Sequence, residues 1–381
     1  MMAVFATRML LPFDVLASQI LWHRKCLAST SIALGLDHAC AVVQEAVFCW
    51  GAASSGQLSD GIPYIHGRPI AVPGLTQIVA LEVSSFQACA LNLDGAVSCW
   101  GSRPNYTAGF SFDFLPHKLN PPGGSATTIR AAASGRLATA EEHTVLPFCA
   151  KTHTGWWCLR QTWSQGLRKE SSPLDRWHAA PKQRSPDGQC GISGAGDLLC
   201  AGIPSRTGNR TVKTKLLKYS KLADDRGKSI AFVEATSLFG IRGKEYVCAR
   251  MANRRVRCFD TTAPAVSAAI ISPALEALNN IVQLAADGPG DEGIACALDT
   301  DGAVWCWGSN HFGQLGEVET RGPFTPVRII GLPPSQRIGV GGRFVCALTN
   351  DSRVFCWGSN RFGAAPDGAL GKRDKPAAVV W

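Results

Sequence analysis

The sequence predicts an all-β repeat fold built from four-stranded units, and three observations predict it. Fourteen of the fifteen cysteines fall into seven pairs, leaving Cys26 alone: Cys40/Cys49, Cys89/Cys99, Cys149/Cys158, Cys190/Cys200, Cys248/Cys258, Cys296/Cys306 and Cys346/Cys356. The first cysteines of successive pairs stand 49, 60, 41, 58, 48 and 50 residues apart, which suits four strands plus loops rather than a helical hairpin or a leucine-rich turn. Between the two cysteines of a pair, apolar and polar residues alternate with period two around a polar centre, the pattern of a β-hairpin.

The clearest copy runs from Cys296 to Gly308, C-A-L-D-T-D-G-A-V-W-C-W-G. It recurs at Cys89–Gly101 and Cys346–Gly358, one residue shorter at Cys40–Gly51, and in weaker form in the other three pairs. Where the cysteines are ten apart, a three-residue loop with its last position in the left-handed region brings them face to face. Gly95, Gly196 and Gly302 hold that position, with Arg254 and Ser352 as departures. Where they are nine apart, a two-residue turn restores the same facing. Opposed antiparallel positions lie about 4.5 to 5.5 Å apart, inside the window a disulfide bridges.

Two readings of the pairs stand side by side: one disulfide per unit, or free cysteines serving as small buried hydrophobes. The disulfide reading is preferred, because the three degenerate copies have lost Trp-Gly (Cys158-Leu, Cys200-Ala, Cys258-Phe) yet keep both cysteines. Zinc fits poorly, since its ligand pairs stand two to four residues apart, and no metal site is expected.

The string V-x-C-W-G-S-N-x-F-G at Val304–Gly313 and Val354–Gly363, followed in the first copy by Gln314-Leu315-Gly316, resembles the repeat of the regulator of chromosome condensation family. Ile338–Gly342 and Val79–Ser84 resemble that repeat's preceding strand, and Gly35-Leu36-Asp37-His38 its G-x-x-H. Beta-lactamase inhibitory protein II is similar in fold. The resemblance covers roughly residues 30 to 381 and is strong in copies one, two, six and seven. It implies a seven-bladed β-propeller of four-stranded blades, with His38 packing and hydrogen-bonding within its blade. The paired cysteines depart from the nuclear founding member and look like the cysteine-stapled version in secreted bacterial proteins and in the ectodomains of plant crinkly-type receptor kinases.

Seven units of about fifty residues use nearly all of the 381-residue chain in one closed ring, so residues 31–381 read as a single propeller and 1–30 as an N-terminal extension. Thirty-nine glycines, eleven tryptophans and 18% charged residues suit tight strands and turns. The extension is a poor signal peptide: Arg8, Pro12 and Asp14 interrupt its apolar start, no small-x-small cleavage site follows cleanly, and the run is too short to span a bilayer. Cys26, after His23-Arg24-Lys25, is not in a lipoprotein context. The segment reads as a degraded or amphipathic targeting segment, or the true start lies elsewhere. At the other end, Pro376–Trp381 matches the piece that follows each Trp-Gly, and either completes the last blade or crosses to close the first.

Enzymatic motifs do not emerge. The eight histidines are scattered, and there is no G-x-S-x-G, Walker loop or dinucleotide fingerprint; Gly240-Ile-Arg-Gly-Lys244 lacks the spacing and the Ser/Thr of a phosphate cradle. No catalytic residue and no cofactor is expected. The net charge of +9 is concentrated: Lys151–Arg257 holds 21 Lys+Arg against 8 Asp+Glu, a net +13. Two basic insertions account for most of it. Residues 159–189 carry Trp163 and Trp177 among Arg160, Arg168, Lys169, Arg176, Lys182 and Arg184, and residues 206–228 carry Arg206, Arg210, Lys213, Lys215, Lys218 and Lys221. Basic residues interleaved with aromatics neutralise phosphate and stack on bases or sugars, and equally dock on an anionic membrane, polysaccharide or acidic protein face. They are also what a solvated pair of variable loops looks like.

A non-enzymatic scaffold follows, a disulfide-stapled propeller binding a partner protein or anionic polymer through its loop faces, with Trp163, Trp177 and Tyr106 as candidate anchors. Nucleic acid fits a stapled extracellular propeller less well, and no transmembrane span is expected. The alternative implied by resemblance is guanine-nucleotide exchange on a small Ras-like GTPase. A third reading, a carbohydrate-binding or carbohydrate-active propeller, requires carboxylates gathered in the central channel. Disulfides place the chain outside the reducing cytosol, in an extracellular, periplasmic or cell-surface setting, and free thiols would return it to the cytoplasm. Asn105, Asn209 and Asn350 stand in N-x-S/T strings, glycan acceptors only in a eukaryotic secretory pathway.

Overall fold

The computed structural model describes residues 29–103, 111–121, 123–131, 148–159, 167–169, 190–192, 195–201, 216–219, 222–223, 229–241, 244–260, 269–270, 272–288, 292–316, 323–365 and 371–381. Among these residues six antiparallel sheets have four strands, one has three and one, Leu222–Ala223 with Ser229–Ile230, has two, each built from strands consecutive in sequence. Sheet 1 comprises Ser29–Leu34, His38–Val43, Ala46–Gly51 and His66–Ala71; sheet 2, Ile78–Val83, Gln87–Asn92, Val97–Arg103 and Ser111–Leu119; sheet 3, Thr128–Ala131, Phe148–Thr152, Gly155–Leu159 and Leu167–Lys169. The three-stranded sheet 4 comprises Cys190–Ile192, Leu198–Ala201 and Leu216–Tyr219. Sheet 5 comprises Phe232–Ile241, Lys244–Met251, Val256–Asp260 and Ala269–Ile270; sheet 6, Ile281–Asp287, Ile294–Asp299, Val304–Gly308 and Val327–Arg328; sheet 7, Ser335–Val340, Phe344–Thr349, Val354–Ser359 and Lys372–Ala378. Leu167–Lys169 and Leu216–Tyr219, inside the two stretches read as insertions, are thus sheet strands.

The first strands of sheets 1 and 2, 2 and 3, 4 and 5, 5 and 6, and 6 and 7 face one another, and the first strand of sheet 7 returns to that of sheet 1. The core follows this ring. Separate clusters of buried apolar side chains fill the gaps between sheets 1 and 2, 2 and 3, 4 and 5, 5 and 6, 6 and 7, and 7 and 1. Strand Lys372–Ala378 pairs with Val354–Ser359 and completes sheet 7 rather than crossing to sheet 1. Side chains make the closure instead: Trp381 meets Phe48 and Trp50 edge-on, with ring centroids 5.7 and 5.9 Å away.

All seven cysteine pairs stand directly opposite in register. Among the described residues the disulfides Cys40–Cys49, Cys89–Cys99, Cys248–Cys258, Cys296–Cys306 and Cys346–Cys356 have Cα atoms 4.0 to 4.1 Å apart, the close approach of a non-hydrogen-bonded antiparallel pair, and Cys149 is disulfide-bonded too. The turn geometry makes this possible. Gly95, Gly196 and Gly302 have φ of 81°, 85° and 80°, and the departures Arg254 and Ser352 take the same left-handed conformation at 63° and 64°. In the shorter Cys40–Cys49 hairpin Gln44 and Glu45 are both at positive φ, 50° and 64°, the conformation of a twist-matched two-residue turn. In three of the longer turns the residue three after the first cysteine is the cap. Asn92 Oδ1 accepts from Ala96 N, Asp299 Oδ1 from Ala303 N, and Thr349 Oγ1 from Arg353 N.

The Cys-Trp-Gly string has one physical job per residue. The glycines sit in the left-handed half of φ (Gly51 107°, Gly101 103°, Gly308 116°, Gly358 104°), and a Cβ on any of them would lie 2.4 to 2.7 Å from a backbone oxygen. Only glycine fits such a place. Trp50, Trp100, Trp307 and Trp357 are fully buried. Three of their indoles reach the preceding sheet's loop: Trp100 Nε1 donates to Gln57 O, Trp357 Nε1 to Gln314 O and Trp50 Nε1 to Ala364 O, each at 2.9 Å. Trp307 Nε1 has no partner among the described residues, and the preceding sheet 5 is one whose sequence has lost Trp-Gly.

Candidate interaction face

An antiparallel third strand ends where the second begins, so two sets of loops share one end of the sheets. These are the first-to-second strand loops (35–37, 84–86, 341–343 and the end of 288–293) and the loops following Trp-Gly. Backbone hydrogen bonds tie them together: Leu36 N donates to Ser85 O, Gly342 N to Leu36 O, Ala52 N to Asp37 O, Ser309 N to Gly293 O and Ser359 N to Arg343 O. The Ser-Asn-x-Phe-Gly loops hold their own shape. Asn310 Oδ1 accepts from Leu315 N and Asn360 Oδ1 from Ala365 N, while Gln314 Oε1 accepts from Phe312 N.

This end gathers ionisable groups that lie far apart in sequence. Arg343 Nε donates to Glu292 Oε2 at 2.6 Å, and its guanidinium lies 5.4 Å from the Phe312 ring centroid. Burial raises the Asp37 carboxyl above its ordinary range, against the opposing pull of Arg343 and Arg361 and with the push of Glu292. Arg361 is exposed and lies over Phe362. Charge-assisted, partly buried pairs of this kind hold geometry and offer directional recognition. They do not form a nucleophile–base pair.

Beside them runs an exposed apolar segment. Ile62, Tyr64 and Ile65 are 46%, 70% and 45% exposed, yet the segment is fixed at both ends by one carboxylate. Asp60 Oδ1 accepts from Ile62 N at 3.2 Å, and Asp60 Oδ2 lies 2.6 Å from His66 Nε2. Gly61 takes φ +74° at the tight turn between them.

His38 opens the second strand of sheet 1 opposite Gly51, where the equivalent strands of sheets 2, 5, 6 and 7 place Gln87, Tyr246, Ile294 and Phe344. It is fully buried, and burial lowers its pKa to about 3. The imidazole packs as expected, but neither ring nitrogen has a hydrogen-bond partner among the described residues, because the position is an apolar packing site in most sheets. On the first strand of sheet 5, Glu234 accepts from Arg250 Nε at 2.8 Å and from the backbone of Leu284. Gln283 in the next sheet exchanges two bonds with Ile338. These side chains join neighbouring inner strands. Among the described residues no three His, Cys, Asp or Glu side chains converge as metal ligands, and no helix is long and apolar enough to cross a membrane.

Of the anchors read from the sequence, Trp163, Trp177, Tyr106, Arg206, Arg210, Lys213, Lys215 and Lys221 lie outside the described residues, as do Asn105 and Asn209. Lys218 is described, and its Nζ pairs with Asp197 Oδ2 at 2.9 Å within sheet 4, so there it ties strand to hairpin. Asn350 sits exposed in its turn. The Ile62–Ile65 segment is absent from the sequence reading. Its signal is an apolar Ile-Pro-Tyr-Ile run four residues after Gln57-Leu58, where sheet 6 has Glu-Val-Glu-Thr just after Gln314-Leu315-Gly316.

The fold and its pinned hairpins define a disulfide-bonded β-repeat protein, all-β and assembled from four-stranded sheets. Part of the chain matches the regulator of chromosome condensation (RCC1) repeat: one repeat model matches residues 301–348, and a second matches 281–314 and 336–364. No curated protein matches the chain. Among solved structures, Prp20p from Saccharomyces cerevisiae aligns at 14% identity and TM-score 0.42 over 92% of this chain and 77% of that one. The CRINKLY ectodomain of the Arabidopsis thaliana receptor kinase ACR4 aligns at 16% and 0.44 over 87% and 98%, and human WBSCR16 at 14% and 0.43 over 93% and 82%.

Proposed function

We propose that this protein is a non-enzymatic, disulfide-stapled seven-bladed propeller, residues 31–381, that binds a partner protein through the loop face described above. The observation that carries the reading is the Ile62–Ile65 segment, exposed and apolar yet clamped by Asp60. Fixing large apolar side chains in water costs free energy unless something covers them, and preordered Tyr and Arg side chains are the usual anchors of interfaces. The disulfides support an oxidising setting, secreted or at the cell surface. The basic segments 159–189 and 206–228 are proposed as a second contact region on the strength of their charge.

The test is affinity capture from the secreted and surface fractions of the source cells, with the full oxidised chain and its Tyr64→Ala/Arg343→Ala variant as baits. A protein retained near one-to-one by the first and lost from the second supports the reading. No stoichiometric partner, or one indifferent to the substitutions, overturns it. Nucleotide release from a panel of Ras-like GTPases runs in parallel; stimulated release that the same variant abolishes would install the exchange-factor reading instead.

A further inference from the structure

The Ile62–Ile65 segment lies at the junction of sheets 1 and 7, and its surroundings indicate what chemistry covers it. A Cβ on Gly363 would stand 2.8 Å from Gly67 Cα, so the loop bearing Arg361 and Phe362 sits directly against His66–Gly67. Asn360 N donates to Gly371 O, which brings Lys372 to the same place. Two carboxylates here stand close to neighbouring basic groups. Both oxygens of Asp60 are directed to Ile62 N and His66, and Asp374 Oδ1 lies 3.2 Å from Lys372 Nζ. Arg68 and Arg361 are exposed and have no carboxylate at ion-pair distance among the described residues, Arg361 lying over the Phe362 ring and in the field of the buried Asp37. The apolar segment therefore shares this junction with exposed guanidinium groups that are not locked into an ion pair among the described residues.

Resting on the reading of this face as a protein-binding surface, we propose that the junction of sheets 1 and 7 receives an acidic polypeptide segment carrying large apolar side chains. The apolar groups cover Ile62, Tyr64 and Ile65, and the carboxylates meet Arg68 and Arg361. Guanidinium presents a planar fork of donors that matches a carboxylate in bidentate geometry, and unpaired cations beside an apolar patch favour an anionic partner in encounter as well as in the bound state. A polysaccharide would satisfy the arginines and leave the apolar segment uncovered.

Three fluorescein-labelled twelve-residue peptides test this by anisotropy on the full oxidised chain: one rich in Asp and Glu with spaced Leu and Phe, the same with Leu and Phe replaced by Ser, and the same with Asp and Glu replaced by Lys. The first is expected to bind, with the serine and lysine versions about tenfold or more weaker. Tyr64→Ala and Arg361→Glu should each weaken the first peptide about tenfold. Arg353→Glu, in a hairpin turn at the opposite end of sheet 7, should leave it unchanged, and raising salt from about 0.1 to 0.5 M should weaken it. All three positions are exposed, and near-UV circular dichroism confirms that each variant is folded. Equal binding of all three peptides, no binding of the first, indifference to Tyr64 and Arg361, or full displacement by heparin overturns the proposal. If partner capture still depends on Arg343 after such a result, the scaffold reading stands and only the acidic-segment assignment falls.

Discussion

Replacing each tryptophan of the Cys-Trp-Gly strings by phenylalanine separates two contributions to stability. Trp50, Trp100, Trp307 and Trp357 are all fully buried in equivalent strands, so the loss of ring volume costs each a similar amount, about 1 to 2 kcal/mol. Three of them also lose an indole donor at 2.9 Å and leave a loop carbonyl on the preceding sheet without it, a further cost of about 1 to 3 kcal/mol. Trp307 has no such bond among the described residues. Trp50→Phe, Trp100→Phe and Trp357→Phe should therefore each destabilise by about 2 to 5 kcal/mol, and Trp307→Phe by only about 1 to 2 kcal/mol. The assay is guanidinium unfolding of oxidised protein followed by near-UV circular dichroism, accepting only series with a common m-value. Four variants agreeing within about 0.5 kcal/mol would refute the idea that indole latches between sheets stabilise the ring.

Other consequences follow from single positions. Gly358→Ala, at φ 104° with its Cβ 2.7 Å from Arg343 O, should cost about 2 kcal/mol or more in the same assay, whereas Gly67→Ala, with open space and no positive φ, should be near neutral. Arg254→Gly should stabilise by about 0.5 to 1 kcal/mol, because an exposed arginine at φ 63° sits in a conformation glycine adopts without penalty. For His38 the folded pKa lies below the unfolded one, about 3 against 6.5, so the unfolded chain takes up the proton first. That cost is absent above pH 6.5 and grows as pH falls through the interval, reaching about 2 kcal/mol at pH 5. His38→Phe, the residue of the equivalent Phe344, should lose this slope; denaturation midpoints at pH 7 and pH 5 that still differ by the wild-type amount would contradict it.

Local geometry was legible where it depends on counting. Period-two alternation and turn length alone place seven cysteine pairs in register, and the left-handed position filled by Gly95, Gly196 and Gly302 could be named before any coordinates. That Arg254 and Ser352 adopt the same φ shows the turn type outranking the residue's own preference, as tertiary pairing on both sides of a hairpin allows. What the linear chain conceals depends on ring closure. Asp37, Glu292, Arg343 and Arg361 meet only because sheets 6 and 7 return to sheet 1, and Trp381 reaches Trp50 for the same reason. The last strand's partner was undecidable from its sequence, since both candidate sheets offer an outer edge of similar composition. Leu216–Tyr219 was hidden for a different cause: in Lys-Leu-Leu-Lys-Tyr the lysines mark solvent exposure equally well for a loop and for an outer strand.

The most direct measurement is intact mass with alkylation in denaturant, before and after reduction, on protein recovered from its own cells, with the linked peptides then mapped. The account predicts that Cys26 alone alkylates before reduction and that peptides join Cys40 to Cys49, Cys89 to Cys99, Cys248 to Cys258, Cys296 to Cys306 and Cys346 to Cys356, together with the two further pairs that stand opposite in register, Cys149 with Cys158 and Cys190 with Cys200. Alkylation of all fifteen cysteines without reductant would contradict it and return the chain to a reducing compartment.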